Sequence, residues 1–257
     1  VRTTYYTTML ALAVLFLFPL VWSGWSSFDG GAGNYAEMAR FGEGVDVYLV
    51  NSVLVSAMTV AGTLTVSALG GYAFARFDFP GKNLLFLVTL AILMVPYATI
   101  LIPLYVLLGR IGLQNSLVGL SLVFVMFQLP FALFMMRNAF EAIPRELEEA
   151  ALVDGCGTFR AFWRILLHAV RPALVTVALF AFLASWNDFF APLILLNDGA
   201  NFTLPVAVVS MTQRTFGAID YGMLQAGVMV MAVPCLILFV VLQRHYVRGF
   251  MSGALRG

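Results

Sequence analysis

Six apolar runs, each about long enough to cross the roughly 30 Å of hydrocarbon in a bilayer, leave this chain few folds to choose from. They lie near residues 8–27, 47–74, 84–108, 117–136, 173–196 and 223–242. Lipid offers the backbone no hydrogen bonds, so each run is expected to be helical. Charged residues make up 11% of the 257, against roughly 25% in a soluble domain. The expected class is an all-α integral membrane protein with six transmembrane helices. The first run is followed by bulky aromatics rather than small residues, so it reads as a retained anchor.

Basic residues set the direction of the spans. Arg2, Arg76, Lys82, Arg137, Arg145, Arg160, Arg164, Arg171, Arg244, Arg248 and Arg256 fall at one set of ends. Only Arg40, Arg110 and Arg214 fall at the other. The positive-inside rule makes the first set cytosolic and places both termini inside. Of the two cysteines, Cys156 then lies in a cytosolic loop and Cys235 inside a span, and no disulfide is expected.

Several spans carry packing or bending signals. In the second, Ser52, Ser56, Thr59, Thr63, Ser67 and Gly70 recur every three or four residues and form one small-residue face. Such a face lets a neighbouring helix approach closely; lining a polar path is the other use open to it. Pro96 and Pro103 should kink the third span, and Pro130, Pro192 and Pro234 interrupt the fourth, fifth and sixth. Asn187 and Asp188 interrupt the fifth near mid-membrane, where a carboxylate is costly and should face inward. Two roles are open to Asp188, a substrate path or gate and an interhelical hydrogen bond with Asn187. Gln128 and Gln225 raise the same question.

One segment is out of character with its surroundings. Glu141 to Gly155 holds five of the 13 acidic residues, Glu141, Glu146, Glu148, Glu149 and Asp154. Pro144 suits a helix start, and Gly155 is placed to end that helix in a left-handed conformation. Thr158 can cap a second helix. There Phe159, Phe162, Trp163, Leu166, Leu167 and Val170 share one face, opposite Arg160, Arg164, His168 and Arg171. A basic amphipathic arm of this kind lies along the inner membrane surface. A polar helix held in the cytosol on such an arm should face another protein.

Glu149-Ala150-Ala151, Asp154-Gly155 and Ile165-Leu166-Leu167 together resemble the EAA loop of membrane subunits of binding-protein-dependent ABC importers. The resemblance extends to the carbohydrate branch, the relatives of the maltose-importer permeases. It runs through Asn51-Ser52, Tyr72-Ala-Phe-Ala-Arg-Phe-Asp-Phe-Pro-Gly81, Ile102-Pro-Leu-Tyr-Val106 and Ser185-Trp-Asn-Asp-Phe189. It ends on Gln243-Arg-His-Tyr-Val-Arg-Gly-Phe-Met-Ser-Gly-Ala254. The implied fold is the type I importer permease, with an anchor helix and external loop at 1–46 and the transmembrane domain at 47–243. The coupling loop is 138–171, and a cytosolic tail occupies 244–257.

The resemblance further implies that Glu149, Ala150, Ala151, Asp154 and Gly155 couple the chain to an ATP-binding subunit. Asn187, Asp188, Gln128 and Gln225 are the candidates for the translocation path. The implied partners are a second permease, two ATP-binding subunits, an external solute-binding protein and the lipid bilayer of the cytoplasmic membrane. ATP and magnesium would reside in the partner subunits, and a sugar or similar polar solute would be carried. His168 stands where the family usually has proline, so the arm is expected to run straighter.

Other function classes find little support. Lys82 is the single lysine, and the residue five before Gly81 is Arg76 rather than glycine, so no phosphate-binding loop is present. Two histidines with no acidic cluster around them offer no metal site, and no basic, aromatic-interleaved groove suits nucleic acid. A self-contained secondary transporter coupled to protons or sodium is the rival reading. It would call for inverted repeats and ion-binding carboxylates within the membrane.

Overall fold

The computed structural model describes residues 2–29, 31–212 and 220–254. Val1, Arg214, Gly217 and Arg256 lie outside the described residues. In chain order the helices are α1 (Arg2–Ser26), α2 (Gly33–Ala39), α3 (Val45–Arg76), α4 (Lys82–Ala91), α5 (Tyr97–Arg110), α6 (Leu117–Glu141) and α7 (Arg145–Val153). There follow α8 (Thr158–Ala161), α9 (Leu167–Ala169), α10 (Arg171–Asn187), α11 (Phe190–Leu195), α12 (Leu204–Thr212) and α13 (Tyr221–Ala254). A five-residue π-helical stretch, Phe162–Leu166, joins α8 to α9.

Among the described residues, four continuous helices are long and apolar enough to cross a membrane: Arg2–Ser26, Val45–Arg76, Leu117–Glu141 and Tyr221–Val241. The third expected span is broken rather than kinked, with its halves bent by 106°. Pro96 causes the break. A residue before proline is pushed out of the helical region, and Val95 is extended at φ −82°, ψ 128°. Helix continues through Pro103, Pro130 and Pro234, so these prolines do not interrupt their spans. In the fifth span the interruption falls at Asp188, between α10 and α11, with Pro192 inside the short α11. A count of six spans requires each broken pair to serve as one. The last helix runs on to Ala254, so residues 244–254 continue it.

The chain divides into two compact units. One comprises Val1–Asn51 and Asp198–Leu238. There Gly227 of α13 lies against Val208 of α12, beside buried Leu204, Met211 and Met223. The Asn51 amide donates to the carbonyls of Ala200 (2.8 Å) and Phe202 (3.0 Å), which fixes the loop before α12.

The other unit comprises Ser52–Asn197 and Phe239–Gly257. Its centre is the small-residue face of α3. Ser52, Ser56, Thr59, Thr63 and Ser67 are all buried. Ser56 meets Ser185 of α10 (3.2 Å), and Ser121 of α6 donates to the Val55 carbonyl (3.4 Å). The glycines let α6 come closer still. A Cβ at Gly71 would lie 2.9 Å from the backbone nitrogen of Arg137 and 2.9 Å from the carbonyl carbon of Met136. Close helix approach is therefore the use this face serves, as small residues allow in lipid, where helices gain nothing from hydrophobic exclusion. Below it, Tyr72, Met136, Phe140, Phe162, Leu166 and Val170 form an apolar core at the Arg76 end of α3.

Candidate coupling helix and membrane-embedded polar pair

Helix α7 is built by local rules. Pro144 precedes it in an extended conformation (φ −55°, ψ 136°). Glu146 and Glu148 occupy the first turn, where carboxylates favour the helix dipole. At the far end Gly155 adopts φ +83°. Its N–H bonds to the Leu152 carbonyl (3.0 Å), and that of Cys156 to the Ala151 carbonyl (2.9 Å). This double closure is the Schellman ending, and glycine supplies the left-handed residue it needs. The helix stop expected at Gly155 is where the chain makes it.

The face presented outward differs from the expected one in one residue. Glu149, Ala150, Asp154 and Gly155 are exposed. Ala151 is only 5% exposed, because its side chain turns inward, so it adds nothing to an outer patch. Val153, 88% exposed, supplies apolar surface there instead.

Glu148, not Glu149, is the carboxylate the chain itself holds. The Tyr72 hydroxyl donates to Glu148 Oε1. Arg76 Nε lies 3.2 Å from Glu148 Oε2, close enough to pair in charge but off the line of a hydrogen bond. Arg76 Nη2 donates to the Ile143 carbonyl at 2.9 Å. Tyr72, Arg76 and Glu148, with Phe77, Arg145, Glu149, Leu152 and Thr158, line an open hollow of about 240 Å³. Sequence reasoning missed the roles of Tyr72 and Arg76. Their signal was available, since residues four apart on a helix share a face and both close the second span.

The arm after α7 is also seated differently. Gly157, not a side-chain cap from Thr158, precedes α8. The π stretch divides the expected apolar face. Phe162, Leu166 and Val170 are buried in the protein's own core, while Phe159 and Trp163 remain exposed. Protein packing on α3 and α6 therefore anchors the arm, beyond any hold by lipid. The arm does not run straight: Thr158–Ala169 and Arg171–Asn187 meet at 77°. Pro172, in the first turn of α10, suffices for the turn, and His168 is exposed.

In the membrane, two helix breaks meet. Asp188 leaves α10 with extended backbone and caps α11, its Oδ1 accepting from the Ala191 N–H at 2.8 Å. Its Oδ2 accepts from the Tyr97 hydroxyl at 2.9 Å. Tyr97 begins α5, immediately after the Pro96 break, and its ring packs edge-on against Phe127 at 4.7 Å. The interhelical hydrogen bond of Asp188 is thus made to Tyr97 rather than to Asn187; exposed Asn187 donates to its own Leu183 carbonyl (2.9 Å). Gln128 sits half-buried on α6, and Gln225 half-buried on α13 in the other unit. Among the described residues, no group of three or more His, Cys, Asp or Glu could hold a metal ion, and neither Cys156 nor Cys235 is in a disulfide.

Residues 66–250 match the family model described as binding-protein-dependent transport system inner membrane component. The probable ABC transporter permease protein YurM of Bacillus subtilis is 31% identical, over 100% of this chain and 89% of that protein. The diacetylchitobiose uptake system permease protein NgcG of Streptomyces coelicolor is 32% identical, over 87% and 74%. The arabinooligosaccharides transport system permease protein AraQ of Halalkalibacterium halodurans is 35% identical, over 80% and 73%. In fold, the chain is similar to one from the crystal structure of a bacterial ABC transporter involved in the import of the acidic polysaccharide alginate. The TM-score is 0.81 at 19% identity, with 95% of each chain covered. An ion-coupled secondary transporter is thereby set aside. The chain belongs to the family of inner-membrane components of binding-protein-dependent transport systems, as an ABC importer permease.

Proposed function

We propose that this permease carries a sugar or similar polar solute delivered by an external binding protein. It works beside a second permease and two ATP-binding subunits that hold ATP and magnesium. The observation that carries the solute class is that relatives across most of the chain are named for the uptake of diacetylchitobiose and arabinooligosaccharides. In this reading residues 47–243 are the transmembrane domain and 138–171 the coupling loop. An ATP-binding subunit receives the outer face of α7, with Glu149 and Ala150 at the contact and Asp154 and Gly155 ending it. Displacement of α7 travels through the arm into α10. Asp188, just past the end of α10, is tied to Tyr97, so movement there opens or closes a polar path to which Asn187 and Gln128 also contribute; Gln225 is a separate candidate on α13.

Reconstitution tests the division of labour. The purified chain alone is expected to hydrolyse no ATP. Hydrolysis appears with the partner subunits and rises with solute-loaded binding protein. Lys82, whose Nζ pairs with Asp78 at 3.1 Å, has no phosphate-binding loop around it. Hydrolysis by the isolated chain, abolished by Lys82→Ala, would overturn the reading.

Orientation is tested separately, with Cys156 and Cys235 first replaced by serine. A cysteine at exposed Glu43 should react with an impermeant reagent added outside intact cells, and one at Val153 should not. The reverse pattern would place α7 on the wrong side for an ATP-binding partner.

A further inference from the structure

Helix α7 is covalently tied to α6 through only Ala142, Ile143 and Pro144, between Glu141 and Arg145. Such a short link holds one end of a helix and leaves its direction free. The other end of α7 continues through 154–157 into the arm, and α3 adds two further attachments near the first turn. Arg76 donates to the Ile143 carbonyl (2.9 Å), just ahead of α7. Tyr72 and Arg76 together engage the two oxygens of Glu148, in its first turn.

These attachments are sheltered. The side chains of Arg76 and Glu148 are 7% and 15% exposed. The Tyr72 ring is wedged edge-on against Phe140 (5.6 Å) and tilted against Phe162 (5.0 Å). That places the aromatic end of α3 against both α6 and the arm. Two points of attachment fix the direction of a rod where one does not. A buried charge left without its partner is strongly unfavourable, so the attachment holds while α7 is pushed.

From this geometry we propose that Tyr72, Arg76 and Glu148 are positioning residues that clasp α7 to α3, making the two helices a single lever. The inference rests on the reading of α7 as the contact for an ATP-binding subunit, and it adds a second route for its thrust. Displacement of α7 enters α3 directly, in addition to passing through the arm into α10. Because α3 carries the small-residue face that meets α6 and α10, one push reaches three spans. Glu149 and Ala150 remain exposed for the partner, so adjacent glutamates divide the work. Glu148 faces inward to its own chain and Glu149 outward.

The test uses the complete complex, with spin labels at Val153 and Leu69, both exposed, in a background lacking Cys156 and Cys235. In the unaltered clasp the label-to-label distance distribution is narrow with and without nucleotide. Combining Tyr72→Phe with Glu148→Gln should broaden it. The ATP-binding subunits should still co-purify and hydrolyse ATP, while solute moved per ATP falls about 5-fold or more. Arg76→Lys should recover more of that ratio than Arg76→Met, which a purely space-filling role would not produce. If the double variant accumulates poorly, Tyr72→Phe alone, which keeps the ring packing, carries the measurement. An unchanged distribution and an unchanged ratio overturn the clasp. Failure of the unaltered chain to bind ATP-binding subunits overturns the reading of α7 instead, and the label widths then judge the clasp alone.

Discussion

Gly71→Val keeps α3 from seating on α6, and the variant should fail to accumulate in the membrane at more than a small fraction of the normal level. The obstacle is backbone. A Cβ at this position would lie 2.9 Å from the Arg137 nitrogen and 2.9 Å from the Met136 carbonyl carbon, and neither can rotate away. Overpacking a core costs about 1–3 kcal/mol, and valine exceeds that range because two further methyl groups follow the Cβ into a helix backbone. Helix association in lipid depends on close van der Waals fit, so no reserve of hydrophobic exclusion offsets the loss. Gly33→Ala is the control, since a Cβ there meets nothing within 4 Å. Membrane-fraction yield and the melting temperature in detergent are the measurements. A Gly71→Val chain recovered in normal amount with unaltered melting would refute the contact.

Gly155→Asp is expected to act in the opposite manner, leaving the protein folded and removing transport. A side chain at Gly155 meets nothing within 4 Å, so the space is open and the whole penalty is conformational. At φ +83° a residue with a Cβ is strained by about 1–2 kcal/mol. A strain of that size lowers the population of the correctly ended helix about ten-fold. What moves is the junction between α7 and the arm, the part that in the proposed function lies in register with an ATP-binding subunit. Yield and melting should therefore stay near normal while uptake falls by roughly that factor. Asparagine tolerates the left-handed region better than most residues, so uptake should rank glycine, then asparagine, then valine. Aspartate adds a charge beside Asp154 and should fall below asparagine. Equal uptake across the series would mean that the helix ending has no part in coupling.

The sequence made some features legible because a single local rule governs each. The stop at Gly155 needs only a residue tolerant of positive φ. The break at Pro96 needs only the missing N–H and the constraint on Val95, although its size, a bend of 106°, exceeded a kink. Features that join distant residues were not legible. Tyr97 and Asp188 are 91 positions apart, and Tyr72 and Glu148 are 76 apart. No periodicity announces which tyrosine will find which carboxylate. The role of Glu148 went unread for the same reason. Periodicity separates inner from outer faces only when the partner surface is known, and Glu148 faces α3. The arm misled for another reason. A regular 3.6-residue repeat places Phe159, Trp163, Phe162 and Leu166 together, but the π stretch at Phe162–Leu166 turns the first two away.

The length of α3 sets where this machinery operates. Its 32 residues at about 1.5 Å each make a rod of about 48 Å. Even at the 40° tilt that is steep for a membrane helix, it spans about 37 Å along the bilayer normal. Hydrocarbon is about 30 Å thick and varies by only a few ångströms between membranes. The surplus must emerge, and at the C-terminal end of α3 it carries Tyr72 and Arg76 toward the headgroup layer. Hydrophobic mismatch is thereby absorbed by a helix that is already too long. A host membrane slightly thicker or thinner would change how far the tip protrudes without drawing the Arg76–Glu148 ion pair into oil.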